Sequence, residues 1–277
     1  MALSTPNDHL AHPQRRNPTS WLTTWGSYIL SSIARSTRVF GLIASTLAMV
    51  FAGGSDGQRI RFSAVLRQIA ETGALALGLT AQLGFSIGLV FGISLETSLQ
   101  WVDLLEIAIG KATEVLVEQV APLFVAIMVA TRSGAALAAD LGSMVAAHEI
   151  DALRSMGLSA ERLLVAPAIL GALVTVPLLT VIMIATVLLT FSVYLHLTQI
   201  SSVLLSLSVA LNAIEPAAIS TALSKGALFG TLIMAIAADN GLAGQPTMRM
   251  VGRSVTNALV AMIANILLLN AVLTLLF

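Results

Sequence analysis

The sequence predicts an all-α membrane protein with about five transmembrane helices, and three observations support this prediction. Of its 277 residues, 57% are hydrophobic and 10% are charged, whereas soluble domains average about 45–50% and about 25%. Five separate stretches approach or exceed the roughly 20 apolar residues that a bilayer crossing needs. If these stretches cross alternately, twelve of the fourteen basic residues fall on one side of the membrane. This composition excludes soluble enzymes and free-standing binding modules.

Two segments precede the first apolar stretch. Residues 1–20 are polar and lack the apolar core of a secretory signal peptide, so we predict a retained cytosolic tail. Residues 21–60 contain Trp21, Trp25 and Arg35 around a modest apolar run. Aromatic and basic residues beside such a run are typical of a helix that lies in the membrane interface or re-enters it.

The apolar stretches lie within residues 61–277, which we predict to form the transmembrane domain. The longest runs from Leu163 to Leu197 without any Asp, Glu, Lys or Arg, so we expect it to tilt or to extend by a turn beyond the bilayer. The others are Gly73–Leu95, Gln119–Ala139, Pro216–Ala238 and Val255–Phe277. An odd number of spans and the basic bias together predict a cytosolic N-terminus and a C-terminus on the far side.

A long cytosolic connection joins the second and third spans. Between residues 139 and 157, apolar and charged side chains recur at helical spacing, which predicts an amphipathic helix that ends at Gly157, with Ser159 capping the next helix. This helix could dock into the groove of a soluble partner or rest on lipid headgroups, and the pattern leaves both open. The residues predicted to contact a partner are Asp140, Met144, Glu149, Ile150, Asp151, Leu153, Arg154 and Met156.

The chain carries no motif for catalysis, metal binding or nucleotide binding. His148-Glu149 lacks the second histidine of a zinc-hydrolase signature, because Ala152 occupies that position. There is no cysteine, and neither a Gly-x-Ser-x-Gly turn nor a Walker-type phosphate loop occurs. We therefore predict no catalytic residue and no metal site, and the balanced charge gives no reason to expect nucleic acid.

Glycines at four-residue spacing mark two faces for close helix packing. Gly84, Gly88 and Gly92 share one face of the first span, and Gly226 and Gly230 share one face of the fourth. Small residues at this spacing let helices approach closely. The contact could lie within one chain or at a dimer interface.

Three polar residues interrupt the second and fourth spans near their far-side ends. They are Glu118, Gln119 and Lys225. Ionisable residues inside a membrane mark functional sites by default, so we consider them candidates for contact with an anionic lipid headgroup at the mouth of an apolar cavity. The alternatives are a simple Lys–Glu pair or a lysine that snorkels to the interface.

Several of these motifs together resemble the central signature of the MlaE/YrbE permease family. The similar segments are Glu118–Pro122, Arg132–Met144, Glu149–Gly157, Ser224–Gly230 and Asn270–Phe277. The resemblance runs from about Leu66 to the C-terminus and identifies residues 61–277 as a permease domain, with residues 139–157 as its coupling helix. This sequence departs from the family pattern at three places. Glu118-Gln119 stands where the family usually has Arg-Glu, Ala121 stands where it usually has glycine, and Asn270 stands where it often has an acidic residue.

The resemblance implies an ABC transporter in the bacterial inner membrane that moves phospholipid between the inner and outer membranes and so maintains outer-membrane lipid asymmetry. The implied partners are a second copy of the chain, a cytosolic ABC ATPase, a periplasmic MCE-domain lipid-binding protein and a small STAS-domain accessory protein. ATP and Mg²⁺ would bind the ATPase, and no cofactor is expected on this chain. The alternatives are a permease for another hydrophobic cargo, such as sterol, and a scaffold that only anchors a periplasmic lipid-binding ring.

Overall fold

The computed structural model describes residues 38, 41–46, 62–99, 105–243 and 248–276. These ranges are almost entirely helical and contain no strand, and five helices are long and apolar enough to cross a membrane. The all-α prediction is therefore confirmed. The predicted polar tail and most of the predicted interfacial segment lie outside the described ranges.

From Phe62 onward, the described part of the chain forms nine α-helices. These are α1 (Phe62–Leu99), α2 (Leu105–Val115), α3 (Ala121–Val129), α4 (Ala135–Ala146), α5 (Glu149–Ser155), α6 (Ala166–Leu197), α7 (Val203–Ala213), α8 (Pro216–Leu242) and α9 (Met248–Leu276). Three π-helical segments, which have wider turns than an α-helix, are Leu116–Val120, Ala130–Gly134 and Glu161–Val165. A short helical stretch, residues 41–46, precedes these helices, and its Ile43 packs against the apolar core that they form.

The five spans contain the five predicted apolar stretches, apart from the undescribed Phe277. They are Ser63–Thr97, Ile107–Ala146, Glu161–Leu197, Pro216–Leu242 and Val251–Leu276. The second span has 40 residues, and at 1.5 Å per residue it is about 60 Å long, twice the roughly 30 Å of the hydrocarbon core. Lys111 and Glu114 interrupt its apolar pattern, which is why the sequence placed its start too late.

Glycine allows the first and third spans to form the most extensive helix contact of the bundle. A Cβ atom on Gly88 would lie 2.6 Å from Thr190 Cβ, and one on Gly92 would lie 2.6 Å from Tyr194 Cδ1. Contacts on both helices advance by four residues, so the two spans run parallel. This is the arrangement expected when a second span crosses between them in the opposite direction.

The glycines of the fourth span also face the third span. A Cβ atom on Gly230 would lie 2.7 Å from the Ala172 carbonyl oxygen, and one on Gly226 would lie 3.3 Å from Pro177 Cα. Here the contacts advance in opposite directions along the two helices, so the third and fourth spans are antiparallel. Both glycine faces are therefore occupied by helices of the same chain.

The fourth span is the most enclosed of the five, and the fifth is the least. The fourth contacts the second span, the third and the fifth. The fifth exposes Val260, Leu268 and Leu275 to the surroundings of a single chain. A polar group on the fourth span must therefore find its hydrogen-bond partners inside the bundle.

Candidate functional site

Lys225 lies inside the bundle, and only 1% of the residue is exposed. It is nine residues after Pro216, the first residue of α8, which places it about 14 Å along the helix axis. Lysine is almost never buried this completely unless other groups accept its hydrogen bonds. The neighbouring spans must therefore supply those acceptors.

The acceptors come from the second span, and a network continues from there to the fifth. Lys225 Nζ donates hydrogen bonds to the Glu118 carbonyl oxygen and to Gln119 Oε1, both at 3.2 Å. Thr274 Oγ1 donates to the same Gln119 oxygen at 2.8 Å. One turn before Thr274, Asn270 Oδ1 is buried and has no hydrogen-bond partner among the described residues. We refer to Glu118, Gln119, Lys225, Asn270 and Thr274 as the Lys225 cluster.

The geometry of the Lys225 cluster differs from both simple alternatives raised by the sequence. No ion pair within the described ranges includes Lys225, and its acceptors are a carbonyl and an amide rather than a carboxylate. Its burial also means that the side chain does not snorkel to the surface of the single chain. The cluster brings together all three residues that the sequence nominated for headgroup contact.

Two polar contacts between spans, one inside the Lys225 cluster and one separate from it, could not be nominated from the sequence. Thr274 looks like an ordinary helix threonine, and its single hydroxyl proton is shared between the Asn270 carbonyl oxygen and Gln119 Oε1, each 2.8 Å away. Tyr194, on the third span, donates a hydrogen bond of 2.6 Å to Glu96 Oε2 on the first span. A tyrosine in a long uncharged stretch was the available signal for that second contact.

A second candidate site lies in the connection between the second and third spans. The predicted single helix over residues 139–157 is instead divided: α4 ends at Ala146, and α5 begins at Glu149. His148, between them, has a left-handed backbone with φ of 59°, which turns the chain. The prediction of one continuous helix was wrong because no glycine or proline marks this turn.

The end of α5 follows the prediction more closely. Gly157 has φ of 76°, and the Leu158 N–H donates to the Leu153 carbonyl at 3.0 Å, the pattern of a Schellman C-cap. The Ser159 hydroxyl is buried without a partner among the described residues. It therefore does not cap the following helix as predicted.

Most of the residues predicted to contact a partner lie on the surface of this connection. Ile150 is the exception, since it is buried inside this chain with 3% of the residue exposed. The exposed residues are Asp140, Glu149, Asp151, Arg154 and Met156, and the partly exposed ones are Met144 and Leu153. Apolar contact surface for a partner is thus concentrated at Leu153 and Met156, with charged side chains around it.

Comparison with known proteins assigns the bundle to a family. The sequence model of a family described as Permease MlaE matches residues 65–276. The chain is similar to a probable ABC transporter permease protein of Rickettsia bellii, with 28% identity over 226 residues that cover 78% of this chain and 83% of that protein. It is also similar to the intermembrane phospholipid transport system permease protein MlaE of Haemophilus influenzae, with 27% identity over 134 residues, 48% of this chain and 51% of that protein.

A plant relative shares a similar length of sequence. The chloroplastic protein TRIGALACTOSYLDIACYLGLYCEROL 1 of Arabidopsis thaliana is 27% identical over 221 residues, 78% of this chain. The alignment spans 62% of the plant protein, less than two-thirds of its length. The family match, in contrast, extends from the second turn of α1 to the last residue of α9. The chain therefore belongs to the MlaE permease family and is a multi-pass membrane subunit of the ABC transporter type.

Proposed function

We propose that this chain is the permease subunit that moves phospholipid between the inner and outer membranes, while a separate ATPase chain hydrolyses ATP. The Lys225 cluster is the observation that carries this proposal. It holds an ammonium group inside an apolar bundle, and no carboxylate bonds directly to that group. A phospholipid offers the matching chemistry, because its phosphate is anionic and its acyl chains suit apolar surroundings.

The lipid pathway requires a second copy of the chain in this proposal. The fifth span carries Asn270 and Thr274 of the cluster, and it is the least enclosed span. Gln119 and Asn270 are partly exposed and Thr274 is exposed in a single chain, so this side of the cluster is open to a neighbour or to lipid. Two copies in a homodimer would enclose an apolar cavity for the acyl chains, with one Lys225 cluster in each wall.

The ATPase would act through the connection between the second and third spans. Leu153 and Met156 provide apolar contacts, and α5 packs against α4. Movement of α5 would reach α4, which packs against α8 and α9. Because α4 continues the helix that carries Glu118 and Gln119, closure of the ATPases could change the Lys225 cluster. In this scheme ATP and Mg²⁺ bind the ATPase. This chain supplies the lipid pathway and the helices that transmit the movement of the ATPase to it.

The same proposal assigns sides and further partners. In this proposal, which the basic bias supports, residues 1–20 and α5 lie in the cytosol and the C-terminus lies in the periplasm, and the chain is an inner-membrane protein. The name of the Haemophilus influenzae relative, an intermembrane phospholipid transport system permease protein, supports phospholipid as cargo. An MCE-domain protein on the periplasmic side and a small STAS-domain accessory protein complete the proposed system.

Purification with the ATPase tests this function. The complex should contain bound phospholipid, and added phospholipid should increase its rate of ATP hydrolysis. A scaffold that only anchors a periplasmic lipid-binding ring would show neither property. The absence of both lipid and stimulation from an intact complex would therefore contradict the proposal.

A further inference from the structure

Lys225 bonds to a main-chain oxygen that a regular helix would have used for itself. In an α-helix, the N–H of residue 122 would donate to the carbonyl of residue 118. Residue 122 is proline, which has no N–H. The Glu118 carbonyl oxygen accepts a hydrogen bond from the Lys225 ammonium, whose Nζ lies 3.2 Å away. A missing donor on one span thus coincides with a buried donor on another.

The local helix geometry supports the same relation. Leu116–Val120 is π-helical, and the Ala121 N–H donates to the Leu116 carbonyl, five residues back. Both groups that bond to Lys225, the Glu118 carbonyl and the Gln119 side chain, belong to this π-helical segment.

A second segment of the chain has the same local design without the lysine. The π-helical segment Glu161–Val165 also ends in Val-Ala-Pro, with Pro167 in the place of Pro122. The Ala166 N–H donates to the Glu161 carbonyl, again five residues back. None of the side-chain hydrogen bonds within the described ranges reaches the Leu163 carbonyl, to which an N–H at residue 167 would donate in an α-helix. The pair therefore offers a natural control: two similar helix distortions, one with a buried ammonium and one without.

We propose that Pro122 is a positioning residue for Lys225. By withholding an N–H, it leaves the Glu118 carbonyl as a fixed acceptor that holds the ammonium where a lipid phosphate can meet it. This inference rests on the proposed function, since it assigns Pro122 a role at the same lipid site. It requires Pro122 to act through Lys225 rather than through the general shape of the second span.

A double-mutant cycle separates these two roles. Pro122→Ala restores the N–H, and Lys225→Met removes the ammonium while keeping an apolar side chain of similar length. The measurement is phospholipid bound per purified complex with the ATPase. We expect each single variant to lose roughly tenfold in lipid affinity, the effect of losing one hydrogen bond to a charged group. The double variant should bind no more weakly than Lys225→Met alone.

The control and the rescue use the special chemistry of proline. Pro167→Ala, at the matched π segment, should leave lipid binding unchanged. Lactic acid in place of residue 122 forms an ester, which has neither the proline ring nor an N–H, so it should restore lipid binding. Thermal stability and ATPase binding, measured for every variant, report folding separately.

The outcomes are distinguishable. Wild-type lipid binding by Pro122→Ala, additive losses in the double variant, or failure of the ester to rescue would overturn the positioning role and leave the proposed function intact. Wild-type lipid binding by Lys225→Met would overturn both the positioning role and the lipid site on which it rests.

Discussion

At the scale of the residue, the buried ammonium of Lys225 is the centre of the polar contacts that join the second, fourth and fifth spans. The sequence nominated Lys225, Glu118 and Gln119 because polar groups are costly in an apolar bundle. It could not show that Glu118 contributes its carbonyl oxygen rather than its carboxylate. That detail depends on the π-helical turn and on the relative axial positions of two helices, which only the packed bundle sets.

Replacement of this ammonium should impair lipid handling more than folding. Lys225→Ala removes the donor to Glu118 and Gln119 and a buried positive charge, so we expect less phospholipid to co-purify while the complex with the ATPase still assembles. Ser224→Ala is the matched control, because the neighbouring Ser224 is exposed and its hydroxyl donates to the Thr221 carbonyl of its own helix at 2.9 Å. Equal lipid content in the Lys225→Ala and Ser224→Ala complexes would rule out this role for the lysine.

At the scale of the element, the helices depend on close approach at particular glycines. The four-residue glycine spacing predicted a packing face on the first span, and the structure places Gly84, Gly88 and Gly92 on that contact. Their partners, which include Thr190 and Tyr194, could not be predicted. The third span is apolar on nearly all sides, so its sequence carries no periodic signal for the face that meets the first span.

The glycine contact predicts that two similar substitutions on the first span affect the melting temperature differently. Gly88→Ala would place a methyl group 2.6 Å from Thr190 Cβ and 2.9 Å from the Val187 carbonyl oxygen. Overpacking of this kind costs about 1–3 kcal/mol, so the melting temperature in detergent should fall. Gly78→Ala, on the same helix, meets nothing within 4 Å and should not lower it. Equal melting temperatures for the two variants would contradict the packing described here.

If α5 is the coupling helix, a substitution in it should impair binding of the ATPase without impairing membrane insertion of this chain. Leu153→Asp places a carboxylate on the partly exposed apolar surface of α5, and burying it against the ATPase without a partner would cost at least about 2 kcal/mol. We expect the variant to insert normally but to lose the ATPase in a pull-down. The control Ser155→Asp adds the same charge at an exposed position, and this variant should retain the ATPase. Retention of the ATPase by Leu153→Asp at wild-type stoichiometry, with lipid-coupled turnover, would exclude α5 as the coupling helix.

At the scale of the whole molecule, hydropathy predicted the number of spans and their order, because lipid imposes a simple length and polarity rule. It did not predict α7, an 11-residue apolar helix that is too short to register as a span. It also missed α2, most of which forms the first part of the second span. Both are features in which packing against neighbouring helices outweighs local composition.

The alternating arrangement predicts that the two ends of the chain lie on opposite sides of the membrane. The parallel packing of the first and third spans supports this topology, and the basic residues favour a cytosolic N-terminus. Reporter domains fused to each end should therefore give a cytosolic signal at the N-terminus and a periplasmic signal at the C-terminus. The same compartment at both ends would contradict five crossings.

ATP-driven lipid transfer by the reconstituted complex tests the central claim most directly. The permease and its ATPase would be placed in vesicles with a labelled phospholipid, and transfer to or from a soluble periplasmic lipid-binding protein would be followed in both directions. We expect transfer with ATP, none with a non-hydrolysable analogue, and a slower rate for Lys225→Ala than for Ser224→Ala. Transfer that proceeds equally without ATP hydrolysis, or no transfer by an intact complex, would contradict the assignment as a phospholipid permease.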